Sequence, residues 1–134
     1  MVKKDRLQLP SSLDSIPKIE QYVESLKADY DIDECVYGNM LLAVVEAATN
    51  AIVHGNKGDC FKCIHLESKK ERDFLRVSVS DEGCGFDVNE IPNPTLPENL
   101  EKDGGRGVFL IQQLADNVDF AKNGATVEMI FYLS

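Results

Sequence analysis

The sequence predicts an α/β (α+β) two-layer sandwich, in which a mixed, mostly antiparallel sheet carries three helices on one face. Apolar residues recur at helical spacing in three separate segments, and shorter segments of strand-like character are joined mostly by hairpin turns. The chain has 134 residues, enough for one sizeable core and too few for two ordinary domains. We therefore expect residues 1–134 to form a single domain.

The N-terminal part of the chain should contain one strand and two helices. Apolar and polar residues alternate over 7–9, and Pro10 ends this short strand. Apolar residues at helical spacing predict a first helix that ends near Tyr30. A second helix should run from about Glu34 to His54, because the glycine- and asparagine-rich sequence that follows is typical of a helix end.

The C-terminal part should contain four strands and a third helix. These elements are the strands Phe61–Glu71, Phe74–Ser80, Val118–Ala121 and Ala125–Leu133, and a helix from about Gly107 to Asp116. The dipeptide Asn123-Gly124 suits a tight hairpin between the last two strands. The stretch Asp81–Gly107 is polar and rich in proline and glycine, and connections of that length are usually functional or mobile. We expect it to hold the site.

The charge and the hydrophobic pattern exclude two classes of function. The formal net charge is −9 and no cluster of Lys and Arg is present, which argues against direct binding of nucleic acid. No apolar N-terminal region and no run of about 18 apolar residues is seen, so we expect no membrane segment and a cytoplasmic protein. An acidic protein can still bind a triphosphate if a metal ion and directed backbone donors offset the repulsion.

The second predicted helix carries a carboxylate and an amide on one face. Glu46 and Asn50 are four residues apart and therefore stack on one side of a helix, while the apolar stripe lies elsewhere. A solvated helix face with an incidental pair is the alternative interpretation. His54 lies one turn further, where a structural role at the helix end is favoured over a catalytic one.

A second candidate motif follows the predicted strand that ends at Ser80. Asp81, Gly83 and Gly85 would place a carboxylate at the sheet edge, with backbone free to approach a flat ligand. A plain turn is the alternative, since this pattern is short and arises easily by chance.

A third candidate motif is the glycine-rich sequence that leads into the last helix. Gly105, Arg106 and Gly107 combine free N–H groups at a helix start, room for phosphates and a charge-assisted donor. A glycine-rich cap with a surface arginine is the alternative. Neither a Walker A loop nor a dinucleotide-binding G-x-G-x-x-G after the first strand is present, which disfavours the two commonest nucleotide folds.

The order and spacing of these motifs resemble the GHKL superfamily of ATPases and kinases, which has the Bergerat ATP-binding fold. Its N, G1 and G2 boxes match residues 46–56, 81–86 and 104–111. The resemblance extends over nearly the whole chain and is greatest to the small bacterial anti-sigma factor serine/threonine kinases. It implies a histidine-kinase-like ATPase domain over 1–134 that uses ATP and Mg²⁺.

The resemblance also implies a role for each candidate residue. Asn50 would hold Mg²⁺ between the phosphates, Asp81 would accept a hydrogen bond from the adenine amino group, and Glu46 would be the general base. The remaining members would shape the adenine pocket, in the case of Gly83 and Gly85, or touch the phosphates, in the case of Gly105, Arg106 and Gly107. Phosphoryl transfer needs positioning and charge stabilisation more than covalent catalysis, which agrees with this set.

Three function hypotheses follow from this resemblance. The first is an ATP- and Mg²⁺-dependent serine/threonine protein kinase that phosphorylates an anti-sigma factor antagonist. A sigma factor is its second candidate partner, and a homodimer is expected. The alternative is a regulatory module that uses ATP only to set its conformation. The third, a detached histidine-kinase catalytic domain, is disfavoured because no helical hairpin with a phosphorylatable histidine precedes the motifs.

Overall fold

The structure, a computed structural model, describes residues 4–57, 59, 61–82, 105–121 and 125–133. Five strands form one sheet in the order β1-β2-β3-β5-β4, and helices α1, α2 and α3 complete the fold. The strands are β1 (Lys4–Pro10), β2 (Cys63–Lys70), β3 (Phe74–Ser80), β4 (Asn117–Ala121) and β5 (Thr126–Tyr132). The helices are α1 (Ile16–Tyr30), α2 (Glu34–Asn50) and α3 (Gly105–Leu114).

The predicted fold class is confirmed, and the sheet is more regular than expected. All four pairings between the described strands are antiparallel. Strands β3 and β4 run in the same direction and are connected through α3, a crossover that would allow parallel pairing. Strand β5 lies between them in the sheet, so it pairs antiparallel with both.

Alternation along the strands gives the sheet one buried face. In β2, β3 and β5, every second residue is buried, as a strand with one face against a core requires. The buried members are mostly apolar: Leu9, Ile64, Leu66, Ser68, Leu75, Val77, Val79, Val127, Met129 and Phe131. The opposite face carries charged pairs such as Arg76 with Glu128, which lie 3.1 Å apart between Nε and Oε1. The helices therefore cover one side of the sheet.

Helix α2 occupies the centre of the helical layer. It packs against α1 and α3 and also contacts β3 and β5. Its buried residues are small or slender, namely Met40, Ala43, Val44, Ala47 and Ala48. Small side chains let neighbouring elements approach closely, and the helix therefore presents one fixed face away from the core.

The helix from Glu34 to Gly55 is, by length and composition, the one described helix that could also cross a membrane. This corrects the sequence expectation that no segment would meet that test. The core helix of a soluble protein passes the same test, because it too must be apolar. In this fold the segment packs against neighbouring helices and strands.

Side chains and backbone geometry at the helix ends explain where α1 and α2 stop and start. Asp31 takes a left-handed conformation with φ of 51°, and the N–H groups of Asp31 and Ile32 both donate to the carbonyl of Lys27. The Asp33 carboxylate then accepts from the N–H of Cys35 and caps the start of α2. Asp33 thus satisfies a backbone donor that the helix itself leaves unpaired.

Two element boundaries differ from the predicted ones for local reasons. Strand β2 begins at Cys63 rather than Phe61, because Asp59 accepts the N–H of Phe61 through its carboxylate and that of Lys62 through its carbonyl. Helix α3 ends before Asp116, whose N–H donates to the carbonyl of Ile130 in β5. The sheet competes successfully with the helix for that donor.

A buried pair of hydroxyl groups connects α1 to β2 and allows a test of the layer packing. Tyr22 donates its hydroxyl to Ser68 Oγ over 2.8 Å, and Ser68 is fully buried. Tyr22→Phe should lower the free energy of unfolding by about 1–3 kcal/mol, because Ser68 loses its partner away from water. In urea unfolding, Tyr22→Phe combined with Ser68→Ala should cost less than the sum of the single changes. Additive costs would contradict the pair.

Candidate functional site

The candidate site lies where the C-terminal end of α2 meets the end of β3. Residue Asp81 follows directly after β3, and its carboxylate lies against Gly55, just beyond α2. Helix α3 packs against α2. Elements that bear the three sequence motifs are therefore neighbours in the fold, although they are separated along the chain.

Glu46 and Asn50 occupy the predicted outward side of α2. Both residues are only partly buried, whereas the neighbouring Ala47 and Ala48 are buried. Within the described residues, neither the Glu46 carboxylate nor the Asn50 amide makes a hydrogen bond or an ion pair. A carboxylate and an amide oxygen one helical turn apart are therefore available to a ligand.

The helix does not end as a regular α-helix, as the sequence predicted. Residues Ala51–Gly55 form a wider π-helical turn, in which the N–H of Asn56 donates to the carbonyl of Ala51 over 2.8 Å. Such turns are rare and are frequent at functional sites. His54 is exposed on this turn, which agrees with a helix-end position.

Gly55 allows the Asp81 carboxylate to lie directly on the helix end. A Cβ atom at Gly55 would stand 2.2 Å from Asp81 Oδ2 and 2.3 Å from its Cγ. No side chain can be accommodated at that distance, so the carboxylate occupies the space that the glycine leaves. The contact sets the distance between the helix and the strand end.

Asn56 joins the helix end to two strands through its buried amide. Its exposed fraction is 1%, its Nδ2 donates to the carbonyl of Cys63 over 3.0 Å, and its Oδ1 accepts from the N–H of Glu82 over 2.8 Å. The N–H of Asp81 donates in turn to the carbonyl of Ala125 over 2.9 Å. The backbone at Asp81 and Glu82 is thus held from both sides.

Glu82 closes the strand end on the side of β2. Its Oε2 accepts from the N–H of Cys63 and lies 3.2 Å from His65 Nε2. Both side chains of the His65–Glu82 pair are more than one third exposed, so their attraction contributes little to stability.

The structure brings some of the predicted site residues together and leaves others untested. Glu46, Asn50 and Asp81 lie around the junction of α2 and β3. Gly105, Arg106 and Gly107 form the first turn of α3, whose start is two residues earlier than predicted. Gly83 and Gly85 lie outside the described residues.

A magnesium ion fits this donor set when it is shared with phosphate oxygens. Mg²⁺ in phosphate sites usually takes one or two oxygens from protein and the rest from water and phosphate. In the described part of the chain, no group of three or more His, Cys, Asp or Glu residues could hold a metal ion. The Asn50 amide oxygen can supply one ligand, which suits an ion that arrives with a nucleotide.

Comparison with known proteins identifies the family. The family model for the histidine kinase-like ATPase domain matches residues 9–131. The chain belongs to this family. The anti-sigma F factors of Bacillus thuringiensis and Bacillus mycoides are each 34% identical to it over 98 residues, which cover 68% of the chain and 66% of each relative. The matched part is thus just under two thirds of those proteins.

One solved structure agrees with the assignment at the level of fold. The RsbU and RsbW domains of a Mycobacterium tuberculosis protein align with 98% of this chain and 32% of that one, at a TM-score of 0.67 and 13% identity. Membership of the histidine kinase-like ATPase domain family confirms the resemblance to the GHKL superfamily and its anti-sigma factor members. It also implies that the chain binds ATP.

Gly55 and Asn56 are the residues whose part in the site was missed by the sequence analysis. Their position after a long apolar helix is typical of a helix end, and that interpretation concealed a second role. No local pattern shows that the Asn56 amide reaches Glu82, 26 positions later. The rarer π-helical turn likewise has no signature in this sequence.

The buried amide predicts a stability effect at Asn56. Asn56→Ala should lower the free energy of unfolding by about 1–3 kcal/mol, because the Cys63 carbonyl and the Glu82 N–H both lose a partner. Thermal and urea unfolding followed by circular dichroism measure the change. The matched control is Asn39→Ala, an exposed position on α2 where a change within about 0.5 kcal/mol is expected. Equal effects of the two substitutions would contradict the role assigned to Asn56.

Proposed function

We propose that this chain, as one ATPase domain, is an ATP- and Mg²⁺-dependent serine/threonine kinase with an anti-sigma regulatory role. Its substrate would be an anti-sigma factor antagonist protein. One observation carries the proposal: Glu46 and Asn50 face outward one turn apart, without partners in the described structure, beside the Asp81 junction. The similarity to anti-sigma F factors supports the regulatory setting.

Each residue has a distinct task in the proposed reaction. Asp81 accepts a hydrogen bond from the adenine amino group, and the N–H groups at the start of α3 together with Arg106 face the phosphates. Bound Mg²⁺, held in part by Asn50, would neutralise phosphate charge. Glu46 accepts the proton of the attacking serine or threonine hydroxyl, and a positioned base of this kind contributes ~10²–10⁴-fold to the rate.

The proposed partners are proteins rather than nucleic acid. A net charge of −9 repels a phosphate backbone, so an effect on transcription would act through protein contacts. The antagonist is the phosphate acceptor, a sigma factor is a second partner, and a cytoplasmic homodimer is the proposed form.

A regulatory module that binds ATP without transferring phosphate is the second candidate. The relatives are named for anti-sigma activity and not for phosphoryl transfer, which is the observation in its favour. In that case ATP would set the conformation of the chain, and Glu46 would have no chemical task. The two candidates differ in what happens when Glu46 loses its charge.

The metal role of Asn50 can be tested by nucleotide binding. Asn50→Ala should weaken ATP binding in the presence of Mg²⁺ by roughly 1–2 kcal/mol, because one of few protein oxygens around the ion is lost. Without Mg²⁺, wild type and variant should bind ATP equally poorly. Titration calorimetry with and without EDTA measures both, and Asn39→Ala is the control. Equal affinities of wild type and Asn50→Ala at saturating Mg²⁺ would exclude Asn50 as the ligand.

The base role of Glu46 separates the two candidates. Glu46→Gln keeps the volume but removes the charge, so ATP binding should persist while phosphoryl transfer falls by ~10²-fold or more. The measurement is single-turnover transfer of labelled phosphate to the antagonist protein, with Glu20→Gln on the exposed side of α1 as control. Unchanged transfer by Glu46→Gln would exclude it as the base. A wild type that binds ATP tightly but labels no antagonist protein would favour the regulatory module.

A further inference from the structure

We propose that Gly55 is a positioning residue that sets the choice of nucleotide base, because its missing side chain provides the seat of the Asp81 carboxylate. The inference rests on the proposed function, in which Asp81 accepts a hydrogen bond from adenine, and it adds a residue that contacts no substrate. It predicts that a single methyl group at position 55 changes base selectivity without removing any group that touches the base.

The space at Gly55 is filled by the end of the Asp81 side chain. The three atoms nearest to a Cβ placed on Gly55 are Asp81 Oδ2, Cγ and Oδ1, at 2.2, 2.3 and 2.8 Å. All three distances are shorter than any that a real Cβ tolerates. An alanine at this position must therefore displace the carboxylate itself.

The backbone at Asp81 cannot move with its carboxylate. The N–H of Asp81 donates to the carbonyl of Ala125 in the sheet, and the N–H of Glu82 donates to Asn56 Oδ1. Both anchors lie within hydrogen-bond distance and one of them is buried. The strain of a methyl group at Gly55 is therefore relieved by rotation of the Asp81 side chain, which takes its oxygens away from their present position.

Backbone conformation does not require a glycine at position 55. The residues with positive φ in the described structure, apart from glycines, are Asp31 and Lys57, and Gly55 does not adopt the left-handed region. Glycine within a helical turn weakens it relative to alanine. The glycine is thus unfavourable for the helix and useful for the space it leaves.

Base selectivity should follow the position of the carboxylate. A carboxylate is an acceptor only, so it favours the amino group of adenine and opposes the carbonyl oxygen that inosine carries at the same place. If the carboxylate is turned away, both the attraction and the opposition weaken. The ratio of the affinities for ATP and inosine triphosphate is therefore the quantity that reports on Gly55.

The experiment compares Gly55→Ala with Gly38→Ala, a glycine-to-alanine change in the same helix where a Cβ would meet nothing within 4 Å. Titration calorimetry with Mg²⁺ measures the dissociation constants of ATP and inosine triphosphate. Gly55→Ala should reduce the preference for ATP by about tenfold or more. Gly38→Ala should retain the wild-type preference and raise the melting temperature.

A second measurement needs no nucleotide. The carbon-13 resonance of Asp81 Cγ in the free protein should shift in Gly55→Ala and stay unchanged in Gly38→Ala. In the background of Asp81→Ala, adding Gly55→Ala should alter ATP affinity by less than about twofold, because the displaced group is already absent. If Gly55→Ala alone fails to fold, the same contact predicts that the double variant folds.

The outcomes separate this inference from the proposed function. A wild type that prefers ATP, together with a Gly55→Ala variant that keeps the full preference and an unshifted Asp81 resonance, overturns the role of Gly55 and leaves the proposed function intact. A wild type that binds both nucleotides equally overturns the adenine role of Asp81, and with it the role of Gly55 in base choice. A Gly55→Ala effect that persists undiminished in the Asp81→Ala background also overturns it.

Discussion

The junction between the end of α2 and the end of β3 is the constraint on which the candidate site depends. Apolar contacts hold the helical layer on the sheet, but they are not directional and do not fix polar groups in relation to one another. The hydrogen bonds of Asn56 are directional and connect the helix end to the residues beside both β2 and β3. With the close contact at Gly55, they fix Asp81 relative to the face that carries Glu46 and Asn50.

The acidity of the chain determines how such a site can hold a triphosphate. The net charge is −9, and the side chains of Glu46, Asp81 and Glu82 add carboxylates around the junction. Phosphates approach only if cationic and dipolar groups outweigh these carboxylates, which leaves a metal ion and the first turn of α3 as the compensating groups. The same carboxylates then become useful, since one can accept a proton and another can select a base with a donor.

The sequence was sufficient to predict the elements and the residues of the site, because both depend on local patterns. Helix α2 and strand β3 follow from periodicity, and Glu46 and Asn50 share a face because a helix repeats every 3.6 residues. The position of β5 between β3 and β4 could not be predicted, since it depends on pairing between distant segments. The roles of Gly55 and Asn56 were missed for the same reason: the groups that they contact lie some 26 positions away in the chain.

Helix α2 has to serve the core and the site at once, and its two sides explain how it does so. The buried side is lined by Ala43, Ala47 and Ala48, which hold the helix close to its neighbours and make the outward side rigid. The outward pair has no partner in the described structure, so its chemistry can change with little effect on packing. At Gly55 and Asn56 this separation ends, because the groups that complete the fold there are also those that aim Asp81. Activity can therefore be lost through residues that never touch the nucleotide.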